Sequence, residues 1–219
     1  MSTKFDAIVF DCDGTLVDSE SIGSKVLYEQ AVSYGFSMAF EVFKESFRGR
    51  KINLCLEAIE KEIGRSLPGD FLDTYRKRQL EAFRKELVPI EGIPGLLAKV
   101  QDLSLPRCVA SGAPLYKIQM VLEHTQLKKF FGEKLYSSYE LNMWKPEPDL
   151  FLHAARNLDT HPERCAVIED SLVGVEAGIA AGMHVFHYRP REDTETVHSE
   201  QVTQVSTVQE LQEALGLAP

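Results

Sequence analysis

Short apolar runs alternate with stretches of helical spacing over most of this 219-residue chain. Phe5 to Phe10 is one such run, ending at Asp11, and its near-continuous apolarity predicts a strand buried on both faces. Arg107 to Ala110, Lys134 to Ser137, Cys165 to Ile168 and His184 to Tyr188 predict four more. Helical patterns separate most of them: Pro94 to Leu103, Pro114 to Leu122, Pro148 to Leu158 and Leu172 to Ala181. Val208, Leu211 and Leu215 carry helical spacing and predict a closing helix. Strands alternating with helices imply an α/β protein, a parallel sheet covered on both faces.

The stretch from Ser19 to Leu87 breaks that alternation. Ile52, Cys55, Leu56, Ile59 and Ile63 form one stripe of an amphipathic helix. Ile22, Val26, Leu27 and Tyr34 suggest an earlier helix, and Phe71, Leu72, Tyr75 and Leu80 a later one. No strand pattern occurs here, so residues 19–87 are expected to be a small helical domain inserted into a core made of 1–18 and 88–219. Charge divides along the same line. The insert holds 12 basic and 11 acidic residues, whereas the remainder carries a net −10.

The whole-chain charge of −9 argues against a nucleic-acid binder that neutralises phosphates with a basic surface. No uncharged apolar run is long enough for a membrane span, and Met1 to Phe5 do not lead into a signal peptide. Cys12, Cys55, Cys108 and Cys165 are scattered without a C-x-x-C pair, which favours a reducing, cytoplasmic compartment. The protein is expected to be a monomer with no nucleic-acid or membrane partner.

The chemistry gathers at predicted strand ends. Asp11 and Asp13 follow the first strand, before Gly14 and Thr15. Two carboxylates so placed repel one another and lose solvation unless a cation offsets them, although solvated turn acids would read the same way. A second pair, Glu169 and Asp170, follows the strand ending at Ile168. Parallel sheets bind ligands outside the carboxyl ends of their strands, so both pairs are expected on one rim. Such oxygen donors suit Mg²⁺; Asp170 could equally cap the helix that starts near Ser171. Ser111 and Gly112 follow another strand and precede Pro114, where a first helical residue is expected. That serine could hold an anion or serve as a cap. Lys145 precedes Pro146, which biases the lysine towards an extended backbone.

Together these residues resemble the haloacid dehalogenase superfamily. Phe10 to Glu20, FDCDGTLVDSE, is similar to its first motif throughout, and Ser111, Lys145 and Glu169-Asp170 match the second, third and fourth in order. The resemblance covers the whole chain and implies a Rossmann-like parallel sheet core with an inserted α-helical cap. Asp13 stands where dehalogenases and phosphonatases of the superfamily lack an acid, which implies phosphoryl transfer from an oxygen ester. The β-phosphoglucomutase branch typically has a histidine soon after the first motif, where this chain has Gly23; that favours a phosphatase over a mutase. Cys108 to Met120 and Trp144 to Pro148, with His153, Ala154 and Ala155, look like the bacterial 6-phosphogluconate phosphatases.

The resemblance implies that Asp11 attacks phosphorus, that Asp13 exchanges protons with the leaving group and water, and that Ser111 and Lys145 hold the phosphoryl group. Mg²⁺ would be bound by Asp11, Asp170, Glu169 (directly or through water) and the Asp13 backbone carbonyl. Thr15, Gly112, Arg48, Arg50 and Lys51 are the expected substrate contacts, the last three as a basic loop of the cap; three solvated charges with Gly49 ending a helix would read the same way. The substrate implied is a small phosphorylated metabolite. Four ionised carboxylates against Mg²⁺ and Lys145 leave a formal −1, so one carboxylate, Asp13, is expected to hold a proton. A receiver domain shares paired acids, a serine or threonine and a lysine, but is about half this length and has no insert. Gly174, Gly178 and Gly182 recur every fourth residue and predict close helix–sheet packing. The histidines show no metal spacing, and Cys12 reads as strand filler.

Overall fold

The apolar runs become strands because each is long enough to cross a sheet and has no polar face to present to water. In the computed structural model, which describes residues 4–47, 50, 52–189 and 197–217, β1 spans Ala7–Phe10, β2 Arg107–Ser111, β3 Leu135–Ser137, β4 Cys165–Glu169, β5 His184–Tyr188 and β6 Val202–Val205. All pair in parallel, in the order β3-β2-β1-β4-β5-β6. β1 is central and wholly buried, with Phe10 opposite Val109 on one side and Ile168 on the other. The α/β expectation holds. β6, which was not anticipated, is a half-exposed edge strand of sequence VTQV with no apolar run to announce it.

The chain divides into two compact units, Met1–Val17 with Val88–Pro219, and Asp18–Leu87. The first contains the sheet and helices α5 (Ile93–Asp102), α6 (Leu115–His124), α7 (Ser138–Leu141), α8 (Asp149–Asn157), α9 (Leu172–Ala180) and α10 (Val208–Ala214). One apolar cluster joins Ala7 and Val9 of β1 and Val167 of β4 to Phe151 and Ala154 of α8 and Val175 and Ala177 of α9. The second unit contains α1 (Ser19–Ser33), α2 (Phe40–Phe47), α3 (Ile52–Ile63) and α4 (Phe71–Glu86), and no strand among its described residues. Cys55 and Ile59 of the predicted stripe are buried there against Leu27, Phe43 and Phe71, with Phe43 and Phe47 stacked at 4.1 Å between ring centroids. α2 was not anticipated, although Phe40, Phe43 and Phe47 have helical spacing.

Three local expectations need correction. Pro114 lies at the N-cap of α6 and not at its first turn. α9 is capped by Ser171, whose side chain accepts from the Gly174 N–H, and not by Asp170. Gly182 lies beyond α9 with φ 73°, so only Gly174 and Gly178 face neighbours. A Cβ at Gly174 would overlap the Glu169 side chain, and one at Gly178 would press on Val185. Among the described residues no helix is long and apolar enough to cross a membrane.

Candidate active site

The order of the strands decides where the acids meet. From β1 the chain proceeds outward to β2 and β3, then returns to β4 and proceeds the other way to β5 and β6. The carboxyl ends of β1 and β4 therefore flank the switch point where open parallel sheets bind ligands. Asp11 immediately follows β1, and Glu169 ends β4. Ser111 ends β2, two residues beyond Val109, the partner of Phe10.

At that rim Lys145 donates to Asp11 Oδ1 at 2.6 Å and to Glu169 Oε2 at 2.5 Å, and all three side chains are nearly inaccessible. The Lys145–Pro146 peptide is cis. Glu169 Oε1 accepts from both the backbone N–H and the hydroxyl of Ser171, so both carboxylate oxygens are engaged. Thr15 is buried, and its hydroxyl donates to Asp170 Oδ1 at 3.2 Å. This corrects the expectation for Thr15: its side chain orients an acid and is not open to a substrate. The buried ring of His187 on β5 lies 3.3 Å from the Asp170 carbonyl oxygen, a further constraint on that residue. Gly14, at φ 85°, has no side chain because the Asp170 carboxylate occupies the space a Cβ would need. The Ser111 hydroxyl is buried and accepts from the Ala113 N–H at 3.2 Å, while Gly112 is exposed.

Asp13 does not stand alone. Lys117, on the first turn of α6, donates to Asp13 Oδ2 at 2.8 Å, and both side chains are largely shielded. Nothing in the sequence marked Lys117 except its place six residues after Ser111; a lone lysine on a helix is ordinarily solvated. Its presence revises the charge balance. With Lys117 counted, a divalent cation and two lysines match four ionised carboxylates, and neutrality no longer requires a proton on Asp13. The carboxyl pushed upward is Asp11. Burial, reinforced by the Glu169 charge, raises it from 3.8 to about 7 against the pull of Lys145. Burial opposes the Lys145 ammonium too, but Asp11 and Glu169 outweigh it and hold its pKa above the ordinary lysine value. Burial and the flanking aspartates raise the Cys12 thiol well above its usual value, so it is no thiolate nucleophile.

Asp11, Glu169 and Asp170 each place a carboxylate oxygen within 4.8 Å of the others. Three hard oxygen donors, buried or half-buried, with a glycine making room for one of them, fit a divalent cation of the Mg²⁺ type. A cation held there would compete with a proton for Asp11. Because its folded pKa exceeds the unfolded value, this group stabilises the metal-free protein most below about pH 4. That contribution is lost as pH rises towards about 7. The gain in Tm on adding Mg²⁺ is therefore expected to be larger at pH 8 than at pH 6, where apparent affinity falls about tenfold. Thermal melts at the two pH values, with and without the ion, check it; an equal or smaller gain at pH 8 would contradict the competition.

Of the basic cap cluster, Arg48 and Lys51 lie outside the described residues. Arg50 is exposed, with its guanidinium 5.9 Å from the Phe47 ring centroid.

A family model for haloacid dehalogenase-like hydrolases matches residues 5–182, and the chain belongs to that family. It is 34% identical over 187 residues to the 6-phosphogluconate phosphatase of Escherichia coli K12, covering 85% of this chain and 83% of that protein. Its fold is similar to a conserved haloacid dehalogenase-like protein of unknown function from Agrobacterium tumefaciens C58, with TM-score 0.81, 30% identity and coverage of 97% and 98%. It is also similar to a HAD family hydrolase from Deinococcus radiodurans R1 with bound phosphate and sodium, with TM-score 0.82, 28% identity and coverage of 98% and 96%.

Proposed function

We propose that this protein is a Mg²⁺-dependent phosphatase hydrolysing a small phosphorylated metabolite, a sugar phosphate or a sugar acid phosphate such as 6-phosphogluconate, through an aspartyl-phosphate on Asp11. The observation that carries this reading is the buried grouping of Asp11, Lys145, Glu169 and Asp170 at the switch point of the sheet. The similarity to a 6-phosphogluconate phosphatase supports the same class of substrate.

Asp11 attacks phosphorus, the ester P–O bond breaks, and the departing oxygen takes a proton from Asp13. Water then attacks the phosphorus of the aspartyl-phosphate and gives its proton to Asp13 as the Asp11 oxygen leaves. A phosphate dianion arriving at a formally neutral site favours the proton on Asp13 that the first step needs. Lys145 and Ser111 hold the equatorial oxygens, and Glu169 keeps Lys145 in place. Asp11, Asp170, Glu169 and the Asp13 carbonyl would hold Mg²⁺, which when bound neutralises charge on the phosphoryl oxygens. The mutase alternative draws no support from position 23. The space a side chain would need there is taken by the end of Gln79, whose amide donates to the Tyr75 hydroxyl at 2.7 Å and would have to move aside. The same reading makes the protein a cytoplasmic monomer acting on a free metabolite.

Release of inorganic phosphate from 6-phosphogluconate with Mg²⁺ tests the activity, and silence there and on a panel of sugar and aryl phosphates would refute it. For the substrate, Arg48, Arg50 and Lys51 fall within four positions of a near-neutral insert in a chain whose remainder carries −10, a run of positive charge in the sequence suited to a carboxylate. Two such contacts amount to roughly tenfold discrimination. kcat/KM for 6-phosphogluconate is therefore expected to exceed that for glucose 6-phosphate by about this factor. Replacing Arg50 and Lys51 together by alanine should remove the preference. Equal values in the unaltered protein, or a preference that survives the double substitution, would assign the cluster to solvated surface.

A further inference from the structure

Lys117 is half-hidden beside the chemistry, yet the scheme above gives it no task. We propose that Lys117 is the positioning residue for Asp13, fixing the direction of the carboxylate that carries the proton. The inference rests on the phosphatase reading, since it assigns Asp13 its proton transfers.

The geometry that supports it joins two parts of the core. Asp13 lies in the turn after β1, followed by Gly14 in the left-handed region, and its side chain has two rotors. Proton transfer needs the carboxylate within hydrogen-bond reach of the leaving oxygen and later of water, so a freely turning side chain wastes most of its orientations. Lys117 is better anchored. It is the third residue of α6, its backbone N–H bonds the Pro114 carbonyl at 3.0 Å, and its side chain is 18% exposed. From there its ammonium reaches Asp13 Oδ2, 104 residues away in sequence. Ser111, at the end of β2, stands four residues before the same helix, so the segment that would hold the phosphoryl group leads directly into the one that holds the acid.

Energetics favour a positioning role over a merely stabilising one. Shielding an ammonium and a carboxylate from water costs about as much as their attraction returns, so such a pair contributes little net stability. What it does supply is one geometry. Burial alone disfavours the Lys117 ammonium, and the Asp13 charge more than restores it.

The test is a double-mutant cycle on the full chain with saturating Mg²⁺, using β-glycerol phosphate and p-nitrophenyl phosphate as probes. Lys117→Met is expected to lower kcat on β-glycerol phosphate by about 10- to 100-fold while KM stays within about twofold. Lys117→Arg, which can still grip a carboxylate, should return kcat to within about threefold of the unaltered protein. Asp13→Asn should be slower than Lys117→Met, and Asp13→Asn with Lys117→Met no slower than Asp13→Asn alone, because Lys117 acts through Asp13. The loss in Lys117→Met should be smaller on p-nitrophenyl phosphate, whose leaving group needs little protonation. If the methionine variant fails to fold by thermal melt, Lys117→Gln replaces it in the cycle. Lys117→Met at the unaltered kcat, or losses that multiply in the double variant, would overturn the inference while leaving the phosphatase reading standing. Asp13→Asn at the unaltered rate would overturn the inference together with the proton transfers assigned to Asp13, whereas no turnover of either probe by the unaltered protein would overturn the phosphatase reading itself.

Discussion

Asp11→Asn is expected to fold normally and to lose phosphatase turnover by at least about 10³-fold. An amide oxygen in place of a carboxylate cannot form the aspartyl-phosphate, and no neighbour can substitute. Glu169 has both oxygens engaged, Asp170 is held by Thr15, and Cys12 is buried with its thiol kept protonated. The fold should tolerate the change because asparagine has the shape of aspartate and carries no charge into a buried site. Burial already pushes the Asp11 carboxyl upward, so the site disfavours a charge there more than it would disfavour an amide. Lys145 would retain Glu169 as partner. Circular dichroism and a thermal melt measure the fold, and phosphate release measures the activity. A variant with near-native turnover would remove Asp11 from the role of nucleophile.

Exhaustive removal of divalent ions is expected to abolish turnover by about two orders of magnitude or more, with Mg²⁺ restoring it and Ca²⁺ competing without restoring it. Asp11, Glu169 and Asp170 crowd three carboxylates into a few ångströms, and Lys145 offsets only part of that charge. A phosphate dianion approaching such a site meets strong repulsion unless a cation lies between. Calcium accepts more ligands at longer distances than magnesium, which spoils the alignment that in-line displacement needs. The measurement is kcat after dialysis against chelator, followed by titration with each ion. Full activity in excess chelator would show that the acid cluster serves another purpose.

The central sheet was legible because its strands are buried on both faces and so spell unbroken apolar words such as AIVF and CVAS. VTQV at the edge has one face in water and half its residues polar, and no such pattern marks it. α4 runs to Glu86, beyond the stripe that ended near Leu80, because Arg84, Lys85 and Glu86 extend it with charge while Phe83 alone turns inward. At the site, the two acid pairs could be placed on one rim because strand ends are one-dimensional features of the sequence, whereas Lys145, which follows α7 and not a strand, took its role from the family resemblance. Contacts across the chain were not visible in that way. Thr15 looked like a substrate contact, but its hydroxyl faces an acid 155 residues away. Lys117 looked like any helical lysine until the sheet brought α6 beside the turn after β1. The charge count made from the sequence left Lys117 out for the same reason, since a charge count is only as good as its list of charges.

The centrality of β1 also bears on how the chain is made. β1 emerges first during synthesis, yet its two neighbours are β2, which begins at Arg107, and β4, which begins at Cys165. The intervening Asp18–Leu87 unit has its own apolar cluster and precedes both neighbours in the chain. The strand that everything else is built around must therefore wait, entirely apolar, for nearly 100 further residues before its first neighbour is made and for some 150 before its second. Pairings of such long range are slow to form, and an unsatisfied apolar strand is open to wrong partners meanwhile. The helical unit between β1 and β2, which has its own apolar cluster, is thus made while the first strand still has no neighbour to pair with.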